Sequence, residues 1–273
     1  MKKPKKPKKP RKPNRYERVI EKVFLRHYQA SATTVDFQRH ELIEAAGELG
    51  ISVPKNIGDV LYSFRNRTQL PQEVQLRAPK GKTWAIMPAG RAKYRFFAVN
   101  ENAFVPKEGF SETKVPDSTP GVISKYSLSD EQALLAILRY NRLIDIFTGV
   151  TCYSLQNHLR TAVPDVGQLE TDEIYVGVDR KGAHYVFPVQ AKGGNEKLNI
   201  VQLVQDFAMC QHKFPSLFCR PIGAQFMNDN VIALLEFEET KKGISILSEK
   251  HYRLVPAEEL SESDLEEYAR RPD

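Results

Sequence analysis

The sequence predicts a mixed α/β chain built as two bodies. Three observations carry this: 273 residues exceed one average domain, helix-period segments alternate with strand-like runs in both halves, and a stretch rich in Pro, Ser, Thr and Gly separates the halves. Hydrophobic residues at 41% and charged residues at 27% match soluble globular chains, which excludes collagen-like, wholly disordered and disulfide-scaffold classes. No apolar run approaches the ~20 residues that cross a bilayer. The amino terminus lacks the apolar segment of a secretory signal, so a cytoplasmic protein without a membrane partner is expected. Cys152, Cys210 and Cys219 form no CxxC pair, which fits reduced thiols better than a disulfide framework or zinc cage.

Charge is unevenly spread. Residues 1–13, MKKPKKPKKPRKP, carry +8; residues 14–120 carry +4 and residues 121–273 carry −6, giving the net +6. The repeat in 1–13 combines like-charge repulsion, helix-blocking proline and no apolar side chain, so a disordered basic arm that neutralises phosphates is expected. A solubilising tail is the alternative. Polyanion binding is assigned mainly to the first half.

Within 14–100, Val19, Ile20, Val23, Phe24 and Tyr28 recur near helical spacing. Phe37, Leu42, Ala45, Ala46 and Leu49 define a second helix stopped at Gly50. In the third, KNIGDVLYSFRNRT, Ile57, Val60, Leu61 and Phe64 are expected inward, with Lys55, Asn56, Ser63, Arg65 and Arg67 outward. VQLRAPKGKTWAIM predicts a β-hairpin turning at PKGK, and GRAKYRFFAV a further strand. Three short helices and a basic hairpin resemble a winged helix-turn-helix domain. That resemblance implies groove contacts by Lys55, Asn56, Ser63, Arg65 and Arg67 and phosphate contacts by Lys80 and Lys82. Trp84, the only tryptophan, is expected to fill the core beneath the hairpin.

Residues 101–125 lack a sustained period and are expected to be a linker. The second body, 126–273, begins with an apolar helix in SDEQALLAILRYNRLIDIFTG, capped by Ser129. ETDEIYVGV and AHYVFPVQAK flank the turn signal DRKG as a hairpin, VQLVQDFAMCQHKF is an amphipathic helix, and CRPIGAQFMNDNVIALLEFEE supplies two strands. Helix, strand, strand, helix, strand, strand describes an α/β sandwich with a mixed sheet. The acidic end, AEELSESDLEEYARRPD, is expected to be a solvated helix.

The chemistry-bearing residues lie on the first hairpin. Strand alternation predicts Glu170 and Asp172 on one side of the first strand, and Gln190 and Lys192 on one side of the second. A carboxylate, an amide oxygen and the Ala191 carbonyl are hard donors suited to Mg²⁺, with Mn²⁺ as an alternative. Such an ion polarises a phosphodiester and lowers the pKa of bound water, while the Lys192 ammonium orients the nucleophile or offsets developing charge.

Asp172 on one strand, then Gln190-Ala191-Lys192 closing the apolar strand YVFPVQAK, resembles the PD-(D/E)XK nuclease superfamily of restriction-endonuclease-like enzymes over roughly residues 129–238. The resemblance implies that Asp172 and Gln190 hold the metal, that Lys192 assists the water, and that Glu131 on the preceding helix helps. Two departures stand out. Thr171 occupies the place of the motif proline, and Gln190 replaces its second acid; Glu170 or Glu173 would restore the charge. A lysine at the end of an apolar strand needs a partner or a task, and a plain salt bridge to Asp172 or Glu170 is the simpler alternative.

Other residues offer less. Gln202, Gln205 and Asp206 either line the cleft or are only the polar face of their helix, and Gly193 and Gly194 either admit substrate backbone or make a turn. His158 is a weak cleft candidate; Asn141 and Arg142 suggest a phosphate contact or an internal salt bridge. The expectation is a Mg²⁺-dependent endonuclease acting on double-stranded DNA. A dimer would bring the two active sites that suit double-strand cutting. The rival readings are a non-catalytic DNA-binding regulator with a nuclease-like scaffold and a protein-interaction module whose arm binds RNA.

Overall fold

The computed structural model describes residues 13–66, 68–101, 103–126, 131–194, 196–227, 230–241 and 243–271. The arm up to residue 12, Arg67 and the expected cap Ser129 lie outside these residues. The chain divides into two compact units, with the division between Asn100 and Glu101.

The first unit runs α1 (Arg15–His27), β1 (Thr34–Gln38), α2 (Arg39–Glu48), α3 (Gly58–Asn66), α4 (Gln72–Gln75), β2 (Thr83–Pro88) and β3 (Lys93–Val99). Asn14 starts α1 through a capping box: its side chain accepts from the N–H groups of Tyr16 and Glu17, and Glu17 reaches back to the Asn14 N–H. The apolar stripe of α1 buries Val19, Ile20, Val23 and Phe24, with Phe24 edge-on to both Trp84 and Phe96. Trp84 is fully buried, as expected. The strands pair antiparallel in the order β1-β3-β2.

Two expectations are corrected in this unit. A strand, β1, precedes α2. The hairpin is β2–β3, turning at residues 89–92, not at PKGK. VQLRA does not extend as a strand, because the Gln75 side chain accepts from the Thr83 hydroxyl and the Trp84 N–H and donates to the Trp84 carbonyl. These bonds tie α4 to the start of β2, so Lys80 and Lys82 sit on the connection between them rather than on a hairpin tip.

The second unit is mixed α/β. It contains β4 (Ala103–Phe104), β5 (Glu112–Pro116), α5 (Gly121–Tyr126), α6 (Glu131–Tyr140), α7 (Leu143–Thr148), β6 (Thr151–Val163), β7 (Gly167–Val178), β8 (His184–Lys192), β9 (Leu198–Asn199) and α8 (Ile200–Lys213). It continues with β10 (Phe218–Cys219), β11 (Ile222–Phe226), β12 (Val231–Thr240), β13 (Gly243–Val255), a 3-10 turn (Ala257–Glu259) and α9 (Glu262–Ala269).

Among the described residues, eight of these strands form one mixed sheet, ordered β5-β13-β12-β11-β8-β7-β6 with β10 beside β8. β8 is antiparallel to β7 and parallel to β11, with α8 in the crossover between β8 and β11. Alternation along β8 sends Phe187, Val189 and Ala191 into a core with Leu134, Leu138 and Leu143 of α6 and α7. Val186 packs instead with Met209 and Cys210 of α8. Residues 101–125 are not a linker: β5 pairs in parallel with β13, and β4 pairs with β9. The sheet also includes two long strands that the six-element reading omits, β6 and β13. No helix of the described residues is long and apolar enough to cross a membrane.

Candidate functional site

The end of β8 lies between α6 and α8, and its side chains divide into two connected groups. In the first, Lys192 Nζ donates to Glu131 Oε1 at 2.8 Å and to the Ala191 carbonyl at 2.8 Å, and lies 3.9 Å from Asp172 Oδ2. Asp172 Oδ2 also accepts the Ala191 N–H at 2.8 Å. Glu131 is brought here as the first residue of α6, where a carboxylate also faces the positive end of the helix dipole. Burial pushes the Asp172 carboxyl above its ordinary range, opposed by the Lys192 charge. Lys192 is 9% exposed, so most of its stem is covered while two carboxylates offset its charge.

The second group is enclosed. Gln190 Nε2 donates to Asp206 Oδ2 at 3.0 Å and Oδ1 at 3.3 Å, and the Thr171 hydroxyl donates to Asp206 Oδ1 at 2.6 Å. Gln202 Nε2 donates to Gln190 Oε1 at 2.9 Å. Asp206 is fully buried, and burial pushes its carboxyl up to about 7. Gln202 and Asp206, four residues apart on α8, share one helix face. That spacing was the available sequence signal; their contact with Gln190 comes from the fold.

The expected site is thus corrected in part. Asp172, Ala191, Lys192 and Glu131 meet, whereas Gln190 turns to α8. Glu170 does not join Asp172: it is exposed and pairs with Arg160 at 3.1 Å and His158 at 3.5 Å, because β6 places Arg160 directly opposite it. Glu173 is fully buried against Arg139 at 2.8 Å and also accepts from Ser154, so it is a structural anion. Asn141 takes neither role proposed for it: it accepts the Ser118 N–H and donates to Thr119 Oγ1 and the Ile137 carbonyl. Arg142 pairs with Asp145. Among the described residues, no three His, Cys, Asp or Glu side chains form a metal-binding cluster. The donor set of Glu131, Asp172 and the Ala191 carbonyl still fits Mg²⁺ in kind, being all hard oxygen with two anionic members.

The first unit's candidates separate as well. Lys55, Lys80 and Lys82 are exposed. Asn56 caps α3, accepting from the Gly58 N–H and Arg39 and donating to Asp59. Ser63 shares a hydrogen bond with Thr68, and Arg65 is half-buried, its pKa lowered by desolvation. Ser63 and Arg65 are therefore not free outward-pointing side chains, whereas Asn56 is exposed as expected but engaged in these hydrogen bonds. Exposed Arg91 lies in the actual hairpin turn and exposed Lys93 opens the strand after it, and the sequence reading passed over them because it placed the turn ten residues early.

Comparison with family models, curated proteins and solved structures finds no match. The chemistry of these side chains therefore carries the functional reading.

Proposed function

We propose that the chain is a Mg²⁺-dependent DNA endonuclease of the PD-(D/E)XK kind, with a first unit of the winged-helix kind that binds duplex. The observation that carries this reading is the convergence of Lys192, Asp172 and Glu131 at the end of β8. The order α1-β1-α2-α3-α4-β2-β3 with a β1-β3-β2 sheet supports the winged-helix half, α4 being a single extra turn before β2. Lys55, Lys80, Lys82, Arg91 and Lys93 supply its phosphate contacts.

Glu131, Asp172 and the Ala191 carbonyl would hold the ion, which when bound supplies a Lewis acid and an acidified water. An ammonium has three donors, and Lys192 commits two of them, to Glu131 and Ala191. The third orients the attacking water or a phosphoryl oxygen; with its charge held by Glu131 and Asp172, Lys192 acts as a donor rather than as a base. The water oxygen forms a bond to phosphorus as the ester P–O bond breaks. Solvent takes the water's proton and supplies one to the leaving alkoxide.

The test is supercoiled plasmid incubated with the protein in Mg²⁺ or EDTA. Mg²⁺-dependent nicking or linearisation is expected; intact plasmid under Mg²⁺ and Mn²⁺ overturns the reading. One observation favours a non-catalytic DNA-binding regulator instead: Gln190 is committed to internal hydrogen bonds. Duplex retention without cleavage selects that alternative.

A further inference from the structure

We infer that Arg160 on β6 binds a backbone phosphate of the substrate strand beside the proposed ion site, and that Glu170 holds its guanidinium as a stand-in for that phosphate until the strand arrives. The inference rests on the proposed nuclease reading and adds the residue that seats the strand. β7 parts from β8 at the site: their ladder ends at the Glu173–Val189 pair, and from there toward Gly167 β7 runs on with β6. In this two-stranded arm the side chains sort by face. Leu169 packs with Met209 and Cys210 of α8, and Thr171 donates to Asp206 of α8. Alternation therefore turns Glu170 and Asp172 to the other face, where Asp172 meets Lys192. On β6, Arg160 stands directly opposite Glu170, and the pairs Asn157–Glu173 and Leu159–Thr171 set His158 across from Asp172. The cations of the arm are thus one strand away from the carboxylate of the site.

The second unit needs such cations. Residues 121–273 carry −6, which opposes the approach of a phosphodiester. Lys192 is held by Glu131, and Arg139 is spent on Glu173. Arg160 is differently placed: its side chain is 78% exposed and grips both oxygens of Glu170, with Nε 3.1 Å from Oε2 and Nη2 3.2 Å from Oε1. The same two-pronged geometry receives two oxygens of a phosphate. An exposed ion pair adds little to the stability of a fold, so a phosphate displaces the carboxylate at small cost. The backbone points to a task as well. His158 holds a left-handed φ of 46°, rare for a non-glycine residue within a strand, and its Nδ1 lies 3.5 Å from Glu170. Backbone held in such a conformation is concentrated at functional sites.

The test is a double-mutant cycle on the full chain, read by fluorescence anisotropy of a labelled duplex in EDTA over a salt series. Arg160→Ala is expected to weaken binding about fivefold and to reduce the slope of log K against log salt by about 0.9, the loss of one phosphate contact. Glu170→Gln is expected to tighten binding about threefold, because its carboxylate no longer competes for the guanidinium. In the Arg160→Ala background the same change is expected to gain less than about 1.5-fold, because the competitor has lost its target. Wild-type affinity and slope in Arg160→Ala overturn the inference. An equal gain from Glu170→Gln in both backgrounds marks a general charge effect and also overturns it, as does a wild type that binds no duplex. A purely structural pair would lower the melting temperature in both single variants and leave the salt slope unmoved, which again overturns it. Plasmid cleavage reports separately: wild-type cutting without the expected cycle sinks only this inference. The expected cycle without cutting in Mg²⁺ or Mn²⁺ sinks only the nuclease reading.

Discussion

Lys192 at the end of β8 and Glu131 at the start of α6, 61 positions apart in sequence, are joined by a 2.8 Å charge-assisted hydrogen bond. Asp172 alone leaves the ammonium with a weaker partner at 3.9 Å, so Glu131 both anchors the lysine and adds a second anionic oxygen. Glu131→Gln is expected to keep the fold and to lower Mg²⁺-supported cleavage by about tenfold to a hundredfold. Initial rates across a Mg²⁺ series, with a melting curve for each protein, check this; an unchanged rate removes Glu131 from the site.

Glu173 provides the contrast. Its carboxylate is fully buried, and Glu173→Ala strands Arg139 beside an empty space. Loss of one partner from a buried pair costs about 3–5 kcal/mol. Because the Arg139 side chain is 36% exposed, water offsets part of this, and about 2–3 kcal/mol is expected. Urea denaturation measures it, and cleavage by the folded fraction should match wild type.

Duplex binding should depend on the corrected basic positions of the first unit. Arg91→Ala with Lys93→Ala is expected to weaken binding and to reduce the slope of log K against log salt by about 1.8 if both touch phosphate. Arg65→Ala, which removes a half-buried side chain, should lower the melting temperature more than it changes the salt slope. Fluorescence anisotropy over a salt series separates the two.

The acid limb of stability should report Asp264. Its side chain accepts from the Ser261 hydroxyl and N–H and from Lys114, and these bonds hold its pKa at about 2 against an ordinary 3.8. A lowered folded-state pKa means that the stabilisation is complete above the unfolded value and is lost as pH falls from about 3.8 through about 2. Because the charged bonds are fully present at neutral pH, Asp264→Asn should lower the melting temperature there, flatten its dependence on pH in that window, and approach wild type at the acid end.

Elements with one strongly buried face were legible in the sequence. The stripe of α1, the apolar run of β8 and the amphipathic pattern of α8 each follow from local spacing. β6 was not legible, because this edge strand is exposed on most of its length from Tyr153 to His158, so no alternation marks it. β5 escaped because its partner, β13, lies more than a hundred residues away, with Glu112 opposite His251. At the site, Asp172, Lys192 and Glu131 were chosen by chemical type, and the fold brings them together. Strand alternation misled for Glu170, whose carboxylate follows the local charges of Arg160 and His158, and gave no notice of the bond between Gln190 and Asp206.

The most direct test of the account is Lys192→Ala, assayed for plasmid cleavage in Mg²⁺ and for duplex retention at the same salt. The account predicts a loss of cleavage of about a hundredfold or more with retention within twofold of wild type. A Lys192→Ala protein that cuts at the wild-type rate would contradict it.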